Sequence, residues 1–409
     1  MLNLMRSPDS VAAGAPSTSA VRIASVPTPS RPARKTQPRA HKADGRVPGE
    51  LEILRAIAAR ARHLPGSRVA LGIGDDCALL APRAGEELAV TTDLSIEGRH
   101  FRLDWHSPES IGHRTLARGL SDLAAMGATP AAAFLSLALP PQLVQRRRAA
   151  KSWLERFLDG FCALAAQHRV PLAGGDLAQA PVALADIVLT GVVPRGRALR
   201  RSGARPGDRL CITGTLGGAA RELAELAAHP RRFRLSPDAA ADSTDHPHLF
   251  PQPRLAQGLL LRRLATAALD VSDGLSTELA HLSAASGVRL EVEAAAIPRA
   301  SGATLEQALH GGEDYELLCT VPPDVPLPRT LRGIPLTVIG RVAASTRSRA
   351  ETGHGRTQAK HSGTQTERSR TQAKHSGPDV VLLEQELSKM GQQRTRRSRL
   401  LPQGWEHFR

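Results

Sequence analysis

The stretch Gly72-Ile73-Gly74-Asp75-Asp76-Cys77-Ala78 places two carboxylates directly after a short, glycine-rich apolar run. Later carboxylates share this context, since they follow apolar runs or stand beside Gly or Ser: Asp93, Asp122, Asp176, Asp270, Asp273, Glu313 and Asp314. Such positions are typical of strand ends, where a loop presents a side chain to a ligand. Carboxylates that converge repel one another by roughly 4 kcal/mol per close pair. A shared site would therefore hold cations or protons, and oxygen ligands without His or Cys favour Mg²⁺.

Length and cysteine content limit the class of protein. A chain of 409 residues predicts two domains with sizeable cores. The four cysteines are far apart and form no Cys-x-x-Cys pair, which favours a reducing, cytoplasmic location over a disulfide framework or zinc site. The longest apolar stretch, residues 123–139, is interrupted by Gly127 and Pro130, so no membrane span is predicted.

The formal net charge of +15 suggests nucleic acid at first, but most of the excess lies in residues 1–48, 345–377 and 388–409. Aromatic residues are too few to stack on single strands, so we predict no nucleic-acid partner. Only Lys151 lies between residues 43 and 359, and the glycine-rich run 214–218 lacks the Lys of a phosphate-binding P-loop. If the protein handles phosphates, metal ions must supply most of the positive charge.

Hydrophobic periodicity predicts an α/β (α+β) chain of two units. It predicts helices at 50–64, 108–126, 146–168, 218–228, 254–268 and 275–287, and strands at 69–73, 88–92, 133–139, 182–192, 209–213, 288–292, 316–321, 336–339 and 380–383. Asp76 and Asp93 are then expected at strand ends, and the start of the helix at 218 is expected to offer free N–H groups to an anion. Residues 229–247 are predicted to form a surface insertion.

Composition predicts the remaining organisation of the chain. Residues 1–48 are predicted to be a disordered basic tail, with a transit peptide as the less favoured alternative. Residues 345–377 carry two copies of Arg-Thr-Gln-Ala-Lys-His-Ser-Gly and are predicted to be a low-complexity insert. The resulting boundaries are 49–196 for the first domain, 197–344 for the second, and 378–409 for a return to the second domain.

Taken together, the motifs resemble the thiamine-monophosphate kinase family, over residues 49–344 plus the last strand and the terminal aromatic residue. The resemblance is carried in order by Gly-Ile-Gly-Asp-Asp-Cys-Ala, Thr-Thr-Asp, Gly-Arg-His-Phe, Ser-Asp-Leu-Ala-Ala-Met-Gly-Ala, Gly-Gly-Asp, Arg-Arg-Ser-Gly, Asp-Val-Ser-Asp-Gly-Leu and Gly-Gly-Glu-Asp-Tyr-Glu-Leu. It implies a two-domain AIR-synthase-like fold, with an N-terminal Mg/ATP-binding domain that pairs into a homodimer. It also implies that ATP gives its γ-phosphoryl group directly to thiamine monophosphate. The acceptor is already an anion, so no general base is required.

The resemblance also implies roles for particular residues. The implied Mg²⁺ ligands are Asp76, Thr91, Thr92, Asp93, Asp122, Asp176, Asp270 and Asp273, the Thr members acting through hydroxyl or backbone oxygens. The implied nucleotide contacts are Gly175, Asp176, Arg201 and Ser272. The implied substrate contacts are His100, Glu313 and Phe408.

Other interpretations of the same residues stay open at the level of sequence. Any one of these Asp residues, taken alone, is more often a helix cap or turn residue, and Asp75 is expected to be structural. Arg201 is alternatively an exposed residue of a basic turn, and His100 a loop residue. For the whole chain, the alternatives are another ATP-dependent enzyme of the AIR-synthase superfamily, or a nucleic-acid-binding protein that uses the basic ends.

Overall fold

The computed structural model describes residues 50–64, 66, 68–71, 73, 78–145, 150–229, 246–345, 378–387 and 393–404. Five features predicted from the sequence lie wholly or mostly outside the described residues: Asp76, Phe408, the tail 1–48, residues 230–245 of the surface insertion, and nearly all of the low-complexity insert, at 346–377.

The first half of the chain builds a four-stranded sheet with helices against it. Its elements are α1 (Glu50–Ala61), β1 (Val69–Leu71), β2 (Leu79–Leu80), β3 (Glu86–Ile96), α2 (Pro108–Ala125), β4 (Thr129–Leu139), α3 (Pro141–Val144), α4 (Trp153–Gln167), β5 (Leu172–Gln179) and β6 (Leu184–Pro194). The sheet has the order β3-β6-β4-β5, and among the described strands of this sheet only β4 and β5 pair in parallel. Strand β3 therefore lies at one edge of this sheet.

The second half builds a larger mixed sheet. Its elements are β7 (Arg209–Thr213), α5 (Gly218–Ala228), α6 (Leu255–Leu261), β8 (Ala267–Asp270), α7 (Leu275–Ser286), β9 (Arg289–Glu293), α8 (Leu305–His310), β10 (Leu317–Val321), β11 (Thr330–Leu331), β12 (Ile334–Ala343), β13 (Asp379–Leu387) and β14 (Gln393–Arg399). The described strands follow the order β14-β13-β9-β12-β7-β10-β8, with β11 attached to β12. Asp270, the last residue of β8, therefore lies at an edge strand of this sheet.

Helix α2 joins the two halves and places the site. The Ser107 side chain accepts from Ser110 N at its N-terminus, and Pro108 begins its first turn, where a missing N–H costs nothing. Its apolar residues Ile111, Leu116, Leu120 and Leu123 are at most 1% exposed, and burying each such side chain contributes roughly 1.5–3 kcal/mol. The helix packs against β3 and β6 of its own half and against α6 and β8 of the other.

A close approach of backbones fixes how α2 meets α6. A Cβ on Gly258 would lie 2.0 Å from the carbonyl oxygen of Ala124, so no larger residue fits there without moving one helix. Because Ala124 is two residues after Asp122, this contact holds the last turns of α2 against the second half of the chain.

Three sequence predictions about element bounds are wrong. Strand β3 continues to Ile96, so Asp93 lies within the strand and not at its end; the strand is prolonged by complete pairing with β6. The helix predicted at 146–168 begins only at Trp153, where Ser152 and Glu155 form a capping box. The helix predicted at 254–268 ends at Leu261, and Ala267–Asp270 is strand β8, paired with β10.

Five of the described strands were not predicted: β2, β5, β8, β11 and β14. Strand β5 contains Gly174 and Gly175, which are weak strand formers, yet it pairs in parallel with β4. Strand β14 was interpreted only as a basic run, because its sequence shows no apolar alternation; it pairs along its whole length with β13. By contrast, the predicted α5, the strand β7 and the Gly287 cap of α7, with φ 66°, are confirmed.

Candidate active site

A cavity of about 790 Å³ opens between the two halves of the chain. Its walls come from β3 and the loop after it, α2, α5, the turn after β8 and the loop 311–315. This volume lies in the range of small-molecule sites, and the position between two packed units is typical of them.

Seven of the residues predicted for the site line this cavity: Asp93, His100, Asp122, Asp270, Ser272, Asp273 and Glu313. Strand β3 supplies Asp93, the last turns of α2 supply Asp122, and β8 with its following turn supplies the group at 270–273. Carboxylates that are up to 220 positions apart in the chain, Asp93 and Glu313, thus face one space. The structure brings them together; their role as metal ligands stays a prediction.

Each of three carboxylates in the cavity contacts a protein donor. The Arg118 guanidinium donates to Asp93 at 2.9 Å, and the Ser121 hydroxyl donates to Asp270 at 2.7 Å. The Thr91 hydroxyl donates to Asp122. Thr91 therefore supports a predicted ligand through its side chain, although it does not itself line the cavity.

The buried aspartates of the cavity have raised pKa values. Burial raises the pKa of Asp93 to about 6, against the opposing effect of Arg118 and with the help of the neighbouring Asp122. Burial and the same neighbour raise the pKa of Asp270, and burial raises that of Asp122. Each carboxylate would be ionised more easily if a cation entered the cavity, because desolvation and like-charge repulsion both act against the charged form.

Glu313 behaves in the opposite way. Burial alone would raise its pKa, but Arg114 and His248 hold it well below the usual value. Arg114 Nη2 donates to Glu313 Oε1 at 2.6 Å, and His248 Nδ1 lies 2.9 Å from Oε2. Glu313 has φ 65°, a conformation that costs a non-glycine residue on the order of 1 kcal/mol. Its backbone N–H is held by the carbonyl of Ser272 at 2.7 Å, so the two loops of the cavity are joined.

Five of the predicted residues that the structure describes do not line this cavity: Thr91, Thr92, Gly175, Asp176 and Arg201. The strand register places Leu94, Asp186, Ser136 and Asp176 in one row across the first sheet, and residues in one row share a face. Thr92 shares that face because it is two residues from Leu94. Thr92 and Asp176 therefore lie on the side of the sheet opposite Asp93.

Gly175 and Arg201 have local structural contacts. A Cβ on Gly175 would lie 1.8 Å from the carbonyl oxygen of Leu135, so strand packing alone requires glycine there. The Arg201 carbonyl accepts from the Ser286 hydroxyl at 2.8 Å. Its positive charge also acts on Asp122, opposing the effect of burial on the pKa of that carboxyl.

The anion site expected at the start of α5 is wrong. Asp314 occupies that position: its carboxylate accepts from Gly217 N at 2.8 Å and Ala219 N at 3.3 Å. A carboxylate of the chain itself already satisfies the helix N-terminus, which binds negative charge for the same physical reason. The body of α5 faces the cavity with small apolar side chains instead, including Ala220 and Ala224.

Arg114, Arg118, Ser121 and His248 were not predicted from the sequence. Arg114 and Arg118 precede Asp122 at four-residue spacing on α2, a pattern that places all three on one helix face and was visible in the sequence. No local signal pointed to His248, since it follows a stretch interpreted as a surface insertion to residue 247. Residues 230–245 of that stretch lie outside the described residues, whereas His248, Leu249 and Phe250 are buried.

No three His, Cys, Asp or Glu side chains in the described part of the chain are arranged to hold a metal ion by themselves. The oxygen-only donor set and the raised pKa values nevertheless fit Mg²⁺, which usually takes one or two carboxylates and completes its shell with water and phosphate oxygens. Among the described helices, none combines the length and the hydropathy needed to span a bilayer.

Comparison with known proteins agrees with this architecture in both halves. Residues 74–193 match the N-terminal domain of AIR synthase related proteins, and residues 205–353 match the C-terminal domain. The fold is also shared with the hydrogenase maturation protein HypE, at a TM-score of 0.55 and 17% identity. The chain is thus a two-domain protein of the AIR-synthase-related class.

More similar relatives narrow the class. The chain is 41% identical to the thiamine-monophosphate kinase of Salmonella typhimurium over 290 residues, 68% of this chain and 85% of that protein. It is 34% identical to that of Bacillus subtilis, over 73% of this chain and 93% of the relative. The crystal structure of the enzyme from Stenotrophomonas maltophilia aligns at a TM-score of 0.61 and 40% identity, covering 71% of this chain and 93% of that one.

The chain therefore belongs to the thiamine-monophosphate kinase family, and the resemblance inferred from its motifs is confirmed. A solved structure of the family, AaThiL complexed with AMPPCP and TMP, aligns over 88% of this chain at a TM-score of 0.57 and 26% identity.

Proposed function

We propose that this protein transfers the γ-phosphoryl group of ATP to thiamine monophosphate, giving thiamine diphosphate and ADP, with Mg²⁺ as the cofactor. The single observation that carries the proposal is the convergence of Asp93, Asp122, Asp270 and Asp273 on one cavity that also holds Glu313. Family membership supplies the reaction, and the cavity supplies a place where its charges can be balanced.

The main obstacle to this reaction is the repulsion between two anionic phosphates. Mg²⁺, when bound, would screen the phosphate oxygens of both reactants and stabilise the charge of the transferring group. Asp93, Asp122, Asp270 and Asp273 would hold it, and Asp76 would join them as predicted from the sequence. The Thr91 and Ser121 hydroxyls orient two of these carboxylates through the hydrogen bonds described above.

The positive groups of the cavity are largely paired with carboxylates of the chain itself. Three arginines line it, Arg99, Arg102 and Arg118, and of these Arg118 is bound to Asp93 and Arg102 to Asp104. No group here is needed as a general base, because the acceptor phosphate is already an anion. The chain's own contribution is therefore to bind, orient and exclude water.

Substrate and nucleotide contacts complete the proposal. Glu313 and His100 are proposed to contact thiamine monophosphate, and both line the cavity. Ser272 is proposed to contact ATP from the turn after β8. Gly175, Asp176, Arg201 and Thr92 keep their proposed roles from the family resemblance alone, and Phe408 stays a proposed substrate contact outside the described residues.

We also propose that the protein is a cytoplasmic homodimer that pairs through β3. Leu88, Val90 and Leu94 are 48%, 62% and 43% exposed on this edge strand, on the face opposite Asp93. Unpaired edge strands with apolar side chains tend to associate, so a second copy is a suitable cover. The described cysteines Cys162, Cys211 and Cys319 are free thiols, which suits a reducing compartment.

The test incubates the protein with thiamine monophosphate and ATP, with and without Mg²⁺, and measures thiamine diphosphate by chromatography. We expect product only when all three are present. No product with a folded protein that binds ATP would instead favour another ATP-dependent enzyme of the superfamily.

A further inference from the structure

His248 is held rigidly beside the cavity although nothing in its sequence context predicts a role. Its side chain is only 2% exposed and lines the cavity. Glu222 of α5 fixes its backbone, because the Glu222 carboxylate accepts from His248 N at 2.7 Å and Leu249 N at 3.3 Å. The ring is thus placed by helix α5, the helix that forms the apolar wall of the cavity.

The neighbours of the His248 ring determine which nitrogen carries the proton. Arg114 Nη1 lies 2.8 Å from His248 Nε2, and a guanidinium N–H can only donate, so Nε2 must accept. His106 Nε2 lies 3.0 Å from the same atom. Burial and the charge of Arg114 lower the pKa of His248, so the ring is neutral. Its single proton is therefore on Nδ1, which lies 2.9 Å from Glu313 Oε2.

Glu313 consequently has a different partner for each oxygen. Arg114 Nη2 donates to Oε1 at 2.6 Å, and His248 Nδ1 faces Oε2. The same Arg114 nitrogen reaches the carbonyl oxygen of His100 at 3.3 Å. Arg114 and His248 thus connect the two proposed substrate contacts, which come from opposite halves of the chain.

We propose that His248 is a positioning residue that, together with Arg114, fixes the orientation of the Glu313 carboxylate so that it can accept a hydrogen bond from an N–H group of the substrate. This inference rests on the proposed substrate role of Glu313. His248 acts through Glu313, since its Nε2 lies 2.8 Å from Arg114 Nη1 and its Nδ1 lies 2.9 Å from Glu313 Oε2. Two carboxylate lone pairs are occupied by these partners, and the others are left for the ligand.

A matched set of variants tests the positioning role. The amide nitrogen of Asn occupies nearly the position of Nδ1, whereas that of Gln reaches the position of Nε2, so His248→Asn keeps the donor to Glu313 and His248→Gln removes it. We expect His248→Gln and His248→Leu to raise the KM for thiamine monophosphate about tenfold, the effect of one lost hydrogen bond to a charged group. We expect kcat and the KM for ATP to change by less than about twofold, and His248→Asn to stay close to the wild type.

Two kinetic outcomes would overturn the proposal. One is an equal rise of the KM for thiamine monophosphate in the Asn and Gln variants; the other is a loss of kcat with that KM unchanged. Either would show that the ring fills space or serves another group. Thermal unfolding of each variant is the folding control, and the Asn–Gln comparison still decides if His248→Leu does not fold.

A spectroscopic measurement separates this inference from the proposed function. Long-range ¹H–¹⁵N NMR of protein labelled with ¹⁵N-histidine reports the tautomer of each ring without any substrate. We expect one buried neutral histidine, lost in His248→Asn, with its proton on Nδ1. A proton on Nε2, or a charged ring at neutral pH, would overturn the inference. If this tautomer is found but thiamine monophosphate is not phosphorylated, the proposed function fails and the contact with Glu313 stands.

Discussion

Asp270→Asn should make the metal-free protein more stable while it removes activity. Asp270 is 3% exposed, its described contact is the neutral Ser121 hydroxyl, and Asp122 lies close by. Burial and that neighbour raise its pKa from 3.8 to about 8. The folded protein thus holds this proton more tightly than the unfolded chain does. Stability is present in full below the unfolded pKa and is lost as the pH rises through the window between the two values.

The size of the effect follows from the width of that window. At pH 7, which is about three units above the pKa of Asp270 in the unfolded chain, protonation of this carboxyl costs at most about 4 kcal/mol, at 1.36 kcal/mol per unit. Asparagine keeps an oxygen for the Ser121 hydroxyl and has no charge to desolvate. Because Asp122 can take up part of the proton load, we expect a gain of about 2 kcal/mol at pH 7. Near pH 4.5 the gain should fall to about 1 kcal/mol or less.

Urea denaturation in the presence of EDTA, at both pH values, measures this gain. Asp208→Asn is the matched control: Asp208 is also 3% exposed but accepts from Thr266 Oγ1 at 2.6 Å outside the cavity, so its replacement should cost about 1–2 kcal/mol. Addition of Mg²⁺ and a non-hydrolysable ATP analogue should stabilise the wild type but not Asp270→Asn. A variant that is less stable than the wild type at pH 7, or a gain that does not change with pH, would refute the reasoning.

Three further predictions concern the metal site, the dimer and the added segments. Asp93→Asn should leave a folded protein with turnover lowered about 100-fold, because it removes a metal-facing oxygen and the partner of Arg118; near-normal steady-state rates at low Mg²⁺ would contradict a ligand role. Val90→Lys should give a monomer in sedimentation, because it places a charge on the exposed face of an edge strand, and an unchanged sedimentation coefficient would argue against pairing through β3. Removal of residues 1–44 with a short linker in place of 345–377 should retain kinase activity, and lost activity would assign these segments a role.

Local signals in the sequence predicted an element correctly where they agreed with the tertiary packing of that element. Helix α2 was predicted with both ends, since its apolar residues repeat at helical spacing from Pro108 onward. The end of the predicted helix at 254–268 was wrong for a physical reason. The leucines and alanines continue past Leu261 without a glycine or proline, and only pairing with β10 turns residues 267–270 into a strand. Strand pairing over long distances has no local signature.

The same limit applies to the cavity. Its carboxylates could be predicted because aspartates beside glycine and serine after apolar runs form a recognisable pattern, and Asp93, Asp122 and Asp270 do face one space. The face of the strand on which each side chain lies was harder to predict, because a shift of one residue reverses the face. Thr92, the neighbour of Asp93 in the chain, points away from the cavity. The partner of Glu313, His248, comes from a segment whose position depends on Glu222 of α5.

The most direct test of the central claim is the position of the metal. Crystals of the full chain grown with Mn²⁺, an ATP analogue and thiamine monophosphate would locate the ion by its anomalous scattering. The account predicts Mn²⁺ within about 2.5 Å of oxygens of Asp93, Asp122 or Asp270 and next to the phosphates of both ligands. Metal and phosphates bound elsewhere, with these three carboxylates free of any cation, would contradict it.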